Sequence, residues 1–254
     1  MTWDPDQYDR FDDHRLRPGL DLIARIPATE PRRVVDLGCG TGTLTAVLAR
    51  RWPSAHIVGL DASRDMLERV PNGVENVQWQ LGDIGAWRAD EPCDLIFSNA
   101  ALHWLDDHEA LFRRLAGSLA PRGVLAVQMP DNWAAPSHRI PAAVLAEGDF
   151  SDAARAALIT DRVASPSEYR RWLGAGLEID MWSTTYHQVL RGTSPVLEWV
   201  KGTVLRPVLD TLDDQRGAAF VEECDRRYRS AYPRDADGVT MLAFRRLFIV
   251  ARRP

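Results

Sequence analysis

The chain has 254 residues, a formal net charge of −5 and 45% hydrophobic residues. That is enough apolar material for one large domain or a domain with an insert, and the acidic balance excludes a general nucleic-acid binder, which needs a basic surface against phosphates. No apolar run reaches the roughly 18 residues of a membrane span, the polar start MTWDPDQYDRFDDHR is not expected to be a signal peptide, and three scattered cysteines (39, 93, 224) point to a reducing cytoplasm without disulfides or a metal site.

Residues 1–27 read as a polar start followed by a helix with Leu16, Leu20, Ile23 and Ile26 on one face, kinked or bounded by Pro18. RVVDLG predicts a strand and TLTAVLARRW a helix stopped by Pro53. HIVGLDAS is a strand and RDMLERV a short helix stopped by Pro71. VQWQLGD and CDLIFSNAAL are strands, ALFRRLAGSLA a helix and GVLAVQMP a fifth strand. Strands alternating with helices, the strands nearly continuous in apolar residues, predict an α/β fold: a Rossmann-like, mostly parallel sheet with helices on both faces.

After about residue 134 the rhythm breaks. IPAAVLAEGDFSDAARAALI, SPSEYRRWLGAG, SPVLEWVKGTVLRPVLDTL and QRGAAFVEECDRRYRSAY read as helical, IDMWSTTYHQVL and LFIVARRP as strands. The expected organisation is a lid and helix over 1–29, a core over 30–134, and a helical cap over 135–254 interleaved with the last two strands, all one domain. The cap is expected over the C-terminal strand ends, where open α/β sheets bind ligands.

VVDLGCGTGTLT, residues 34–45, turns from the first strand on three alternate glycines. No lysine lies near it, which excludes a phosphate-binding P-loop. A dinucleotide fingerprint would place its third glycine at 43, which is Thr43; the pattern is G-x-G-x-G, with Asp36 two residues before the first glycine. The glycines permit positive φ and close approach of the main chain to a ligand. Asp61, 19 residues after Gly42, ends the second strand, where an acid accepts from ribose hydroxyls. Asp83 follows the third strand, placed to accept from an adenine amino group. Three acids at successive strand ends predict one electronegative groove for an adenosine with a cationic tail.

VVDLGCGTGTLT, VGLDASRDML, LGDIGAW and CDLIFSNAALHW together resemble the class I S-adenosylmethionine-dependent methyltransferases over roughly residues 30–130. The resemblance implies S-adenosyl-L-methionine as cofactor, with S-adenosyl-L-homocysteine left after transfer. It implies Asp36, Gly38 and Gly40 at the methionine part, Asp61 and Ala62 at the ribose, and Met66, Asp83 and Ile84 at the adenine. Asn99 and Ala100 would lie beside the sulfonium.

TWDPDQYDRFDDHRLRP, SNAALHWL, VQMPDNWAAPSH, WSTTYHQVL, EWVKGTVLRPVLD and the closing AYPRDADG and FRRLFIVARRP resemble the trans-aconitate 2-methyltransferase family along nearly the whole chain. The resemblance implies monomethyl esterification of trans-aconitate. Such an acceptor needs charge-assisted donors for the carboxylates that do not react. Candidates are His14, Arg15, Tyr186 and Arg206, with His187, Lys201 and Arg245 as further donors and His103 and Trp104 lining the reacting centre. Arg245 and Arg246 are expected at the start of the last strand, one of them facing solvent. Trp133, Trp182 and Trp199 are expected in or near the cap, and Trp3 and Tyr8 on the lid. Lys201 is the only lysine, so arginine is this chain's default cation and a lone arginine says little.

A carboxylate is already ionised at neutral pH and needs no general base. A phenol would benefit from one, such as His103 or His187, so a methyltransferase for another small acid or a phenol stays open. A nicotinamide dehydrogenase is disfavoured by the glycine spacing, and a non-catalytic cofactor-binding module is the remaining alternative. The expected partner is a small anionic molecule, with no metal, nucleic acid or membrane, in the cytoplasm; the oligomeric state is not given by the sequence.

Overall fold

The structure, a computed structural model, describes residues 12–27, 30–158 and 162–254, and of 12–15 the main chain only. Trp3 and Tyr8 of the expected lid lie outside the described residues. A seven-stranded sheet runs in the order β3-β2-β1-β4-β5-β7-β6. Its strands are β1 Arg33–Leu37, β2 His56–Asp61, β3 Val77–Leu81, β4 Cys93–Asn99, β5 Leu119–Pro130, β6 Glu178–Arg191 and β7 Val239–Arg252. β1 to β5 pair in parallel and β7 lies antiparallel on β5.

The chain divides into two compact units. One holds residues 12–130, 162–184 and 246–254. Its central strands are apolar on both faces: Val34, Val35, Leu37, Leu95, Ile96, Phe97, Leu125 and Val127 are all buried, as a helix-covered parallel sheet requires. The covering helices are α1 Asp12–Arg25, α2 Thr43–Arg51, α3 Arg64–Leu67, α4 His108–Gly117 and, after the intervening stretch, α7 Pro166–Leu173. α1 packs on α2 and on β5.

The buried face of α1 differs from the predicted one. Pro18, Leu22, Ile23 and Ile26 turn inward, whereas Leu20 is 39% exposed. Gly19 lies against Leu44, where a Cβ would fall 2.3 Å from a methyl group. Close contact at Gly19 rotates the helix and carries Leu20 to solvent. Pro18 sits within the helix and does not end it.

The other unit holds 131–158 and 185–245 among the described residues. Its helices are α5 Pro136–Glu147, α6 Asp152–Ala157, α8 Pro195–Lys201, α9 Arg206–Leu209 and α10 Asp214–Ala231. It has its own core, including Leu145, Leu190, Trp199, Val200, Phe220 and Tyr228. Tyr228 donates to the Ser137 carbonyl over 2.9 Å, and Tyr232 accepts the Ser137 N–H over 2.9 Å, which fixes α10 on the start of α5.

β7 starts eight residues before the predicted LFIVARRP, because buried Thr240, Leu242 and Phe244 alternate with exposed Met241, Ala243 and Arg245 and pack one face. Arg245 and Arg246 are thus within the strand and not at its start. Arg246 is buried and Arg245 exposed. Trp182, expected near a cap, stands in the sheet unit: it stacks on Phe248 at 4.9 Å and 7°, with the Arg25 guanidinium 5.2 Å from its ring centre.

Candidate active site

The site is built by turns that follow the parallel strands at one end of the sheet. After β1, Gly38, Gly40 and Gly42 all take positive φ (79°, 57° and 77°), a conformation glycine adopts without strain. Their surroundings differ. A Cβ on Gly38 would lie 2.2 Å from that of Ala101, and one on Gly42 2.5 Å from the Trp79 ring. Nothing lies within 4 Å of a Cβ on Gly40. Gly38 and Gly42 are therefore glycines because protein packs on them, and Gly40 leaves open space where a ligand can meet the main chain.

Asp61 holds this turn in place. Its Oδ2 accepts the Gly40 N–H at 2.8 Å and its Oδ1 accepts the Ser63 N–H at 2.9 Å. Ser63 in turn caps α3, accepting the Met66 N–H at 3.3 Å, so buried Met66 is fixed beside the acid. Ala62 between them is exposed. Asp83 is exposed and accepts the Gly85 N–H at 2.8 Å. Ile84 is buried, with its Cδ1 3.4 Å from where a Gly38 Cβ would stand, and its carbonyl accepts from Arg114 over 3.0 Å.

Asp36 departs from the expected open groove of three acids. It is 2% exposed, beneath α2, and Thr45 Oγ1 donates to its Oδ2 over 2.6 Å. Burial pushes its carboxyl up to about 7; the Thr45 hydroxyl acts against that shift and the Asp61 charge adds to it. Asp61 and Asp83 are the acids that reach the surface of the site.

At the end of β4, Ala100 takes φ 54°, strained for a residue with a Cβ. Its N–H donates to the Gln128 carbonyl over 2.9 Å, which ties the turn to β5. Asn99 Oδ1 is buried with no hydrogen-bond partner, and so are both amide atoms of Gln128. A buried polar group left unpaired costs about 1–3 kcal/mol. The open space at Gly40, the Asp61 carboxylate and the orphaned Asn99 oxygen fit an adenosyl ligand with a polar tail. Beyond Ala100, a 3₁₀ turn over Leu102–Trp104 carries buried His103 with its ring 4.5 Å from that of Trp104. The Trp104 carbonyl accepts from Arg162 over 2.6 Å. Below it, His108 Nε2 meets the Leu102 carbonyl at 3.0 Å and Nδ1 meets the Tyr169 hydroxyl at 2.6 Å. Burial holds His108 below its ordinary value.

Asp36, Gly38, Gly40, Asp61, Ala62, Met66, Asp83, Ile84, Asn99, Ala100, His103 and Trp104 thus all belong to the sheet unit, on the turns and strand ends described. Of the other predicted donors, Tyr186, His187, Lys201, Arg206 and Arg245 belong to the second unit. Tyr186 is buried and His187 exposed on β6. Lys201 is half-buried at the end of α8. Arg206 pairs with Asp210 at 2.9 Å, and Arg245 with Asp131 at 3.3 Å. Trp199 is buried against Phe244 at 5.7 Å, and Trp133 meets His138 edge-on at 5.2 Å. The side chains of His14 and Arg15 lie outside the described residues. Sequence reasoning missed Gln128 and Thr45. The signal for Gln128 was a lone amide inside an otherwise apolar strand, VLAVQMP.

A parallel sheet with a glycine turn after β1 and an acid at the end of β2 frames a Rossmann-like nucleotide-binding site, here that of a methyltransferase. A family model described as a methyltransferase domain matches residues 8–179. Two solved structures share the fold. The YcgJ protein from Bacillus subtilis is 18% identical, covering 93% of this chain and 98% of that one, with a TM-score of 0.59. Coclaurine N-methyltransferase bound to N-methylheliamine and SAH is 16% identical, covering 95% of this chain and 73% of that one, with a TM-score of 0.55. In sequence, the trans-aconitate 2-methyltransferase of Methylobacterium nodulans is 48% identical over 99% of this chain and 98% of its own length. The chain belongs to the trans-aconitate 2-methyltransferase family.

Proposed function

We infer that the chain is an S-adenosylmethionine-dependent carboxyl O-methyltransferase that forms the monomethyl ester of trans-aconitate. The observation that carries this is 48% identity to a relative of that name over nearly both full lengths, which includes the stretch from 131 to 245 that the cofactor motifs do not need. S-Adenosylmethionine, when bound, supplies a methyl group on a sulfonium, the reactive part of the chemistry.

The protein's share is to bind, align and exclude water. Asp61 and Ala62 take the ribose, Met66, Asp83 and Ile84 the adenine, and the turn at Gly38 and Gly40 the methionine part, with buried Asp36 supporting that turn from beneath. Asn99 and Ala100 face the sulfonium. His103 and Trp104 line the reacting centre, and His14, Arg15, Tyr186 and Arg206 hold the carboxylates that do not react. For Arg206 this means exchanging Asp210 for substrate, an inexpensive exchange because exposed ion pairs contribute only about 0–1 kcal/mol. No residue has to remove a proton, because the acceptor carboxylate is ionised at neutral pH.

Among the described residues no helix is long and apolar enough to cross a membrane. The reading is of a cytoplasmic enzyme acting on a small anion, with neither nucleic acid nor membrane as partner. The test is the product. Label transferred from methyl-labelled cofactor to trans-aconitate and released as methanol by mild base marks an ester; a base-stable product marks an ether or amine and overturns the reading.

A further inference from the structure

β5 carries a buried amide that packing does not explain. Gln128 is 0% exposed, and neither its Oε1 nor its Nε2 has a hydrogen-bond partner. Its face of the sheet follows from the register. Asp36 pairs with Phe97, Phe97 with Ala126, and Ala126 with Val250, so these four side chains share a face. Two residues further along, Asn99 pairs with Gln128 and Gln128 with Phe248, on that same face. It is the face covered by α2, whose Thr45 reaches Asp36. Gln128 thus has the orphaned Asn99 oxygen on one side and the stacked Phe248–Trp182 pair on the other.

A glutamine that only filled space here would be better replaced by an apolar side chain of the same length, since an unpaired buried amide is a net cost. Its place gives it a role. The glycine turn follows β1, Asp61 ends β2, Asp83 follows β3 and Asn99 ends β4, so the cofactor residues use four strands. Gln128 lies on the next strand, paired with Asn99; with Asn99 beside the sulfonium, as inferred above, an acceptor that approaches the methyl group from the β5 side meets Gln128. An amide N–H there holds a carboxylate oxygen without adding charge and leaves the carboxylate nucleophilic.

We propose that Gln128 is the residue that positions the reacting end of the acceptor, its Nε2 donating to an oxygen of the small carboxylic acid that receives the methyl group. The proposal rests on the acceptor being a small acid, as inferred above. Gln128 moves no proton and does not bind the cofactor.

The test compares the parent with Gln128→Leu in steady-state methylation of trans-aconitate, in calorimetric binding of S-adenosylhomocysteine and in thermal unfolding. The expected result is a KM for trans-aconitate raised about tenfold or more, cofactor-product affinity within about twofold of the parent, and a melting temperature equal or higher because an unpaired amide is gone. A residue that merely supports the sheet would instead lower the melting temperature and leave KM alone. An unchanged KM in the folded variant overturns the proposal, as does a loss confined to S-adenosylhomocysteine affinity, which would put the amide on the cofactor. Gln128→Met replaces Gln128→Leu if the latter fails to fold. A parent that does not methylate trans-aconitate refutes the substrate reading on its own. The comparison then runs on the acceptor the parent does methylate, where a carboxylic acid with raised KM upholds Gln128 and an acceptor without a carboxylate overturns it.

Discussion

The Gly40 N–H donates to Oδ2 of Asp61 over 2.8 Å, so the acid that ends β2 holds the one glycine of the turn that faces open space. Its other oxygen holds Ser63 at the start of α3. Asp61 is thus both a ligand-binding acid and the clamp that shapes the two loops around the ligand. Asp61→Ala removes both functions. We expect S-adenosylhomocysteine affinity to fall about 100-fold, the equivalent of one or two charge-assisted hydrogen bonds. Calorimetry checks this, and affinity within threefold of the parent would contradict it.

Asp36 predicts an unusual pH dependence. Its folded-state value of about 7 lies above the ordinary 3.8, so its protonated form is the one the fold favours. Below the ordinary value the group is neutral in both folded and unfolded chains and costs nothing. As pH rises from about 4 to 7 the unfolded chain ionises first, and stability is lost, by about 4 kcal/mol at most above pH 7. Asp36→Asn, which still offers Thr45 an acceptor, should therefore melt higher than the parent at pH 8, with the advantage shrinking towards pH 4. Equal differences at both pH values would contradict the raised value.

Tyr169 is fully buried, and its hydroxyl bonds His108 Nδ1 and accepts the Ala164 N–H over 3.2 Å. Tyr169→Phe leaves buried His108 and the half-buried Ala164 N–H without that partner. We expect a loss of about 1–3 kcal/mol of stability by denaturant unfolding, with cofactor affinity nearly unchanged, because Tyr169 supports the turn at Leu102–Trp104 from below. A variant as stable as the parent would show that the pair contributes nothing.

Arg122 takes φ 64° at an exposed corner of β5. A side chain in that conformation costs about 1–2 kcal/mol, part of which glycine gives back through its freer unfolded chain. Arg122→Gly is expected to stabilise the protein by about 0.5–1 kcal/mol, or roughly 2 °C in a chain of this size. A lower melting temperature would mean that the arginine makes compensating contacts.

The sheet unit was the most legible part of the sequence, for a physical reason. Parallel strands buried on both faces must be continuously apolar, and glycines and acids at their ends stand out against them. Asp61 and the glycine turn were therefore readable from spacing. Asp36 was readable as a residue but not as a buried one, because Thr45, which covers it, sits on a helix nine positions away. The face of α1 was misread because a glycine–leucine contact, Gly19 on Leu44, overrode simple periodicity. Chain position alone puts Trp182 in or near the helical insert, because it does not show which strand a late segment joins. Gln128 is not legible in the sequence, because one amide in VLAVQMP carries no periodic signal; its register with Asn99 gives it meaning.

The most direct test is the ratio of kcat/KM values for methyl transfer from S-adenosylmethionine to trans-aconitate, cis-aconitate, citrate and a panel of phenols. Trans-aconitate is expected ahead of the others by at least about tenfold, with a single base-labile methyl ester as product. Preference for a phenol, or cofactor binding with no transfer to any acid, would contradict it, leaving the methyltransferase fold and removing the substrate.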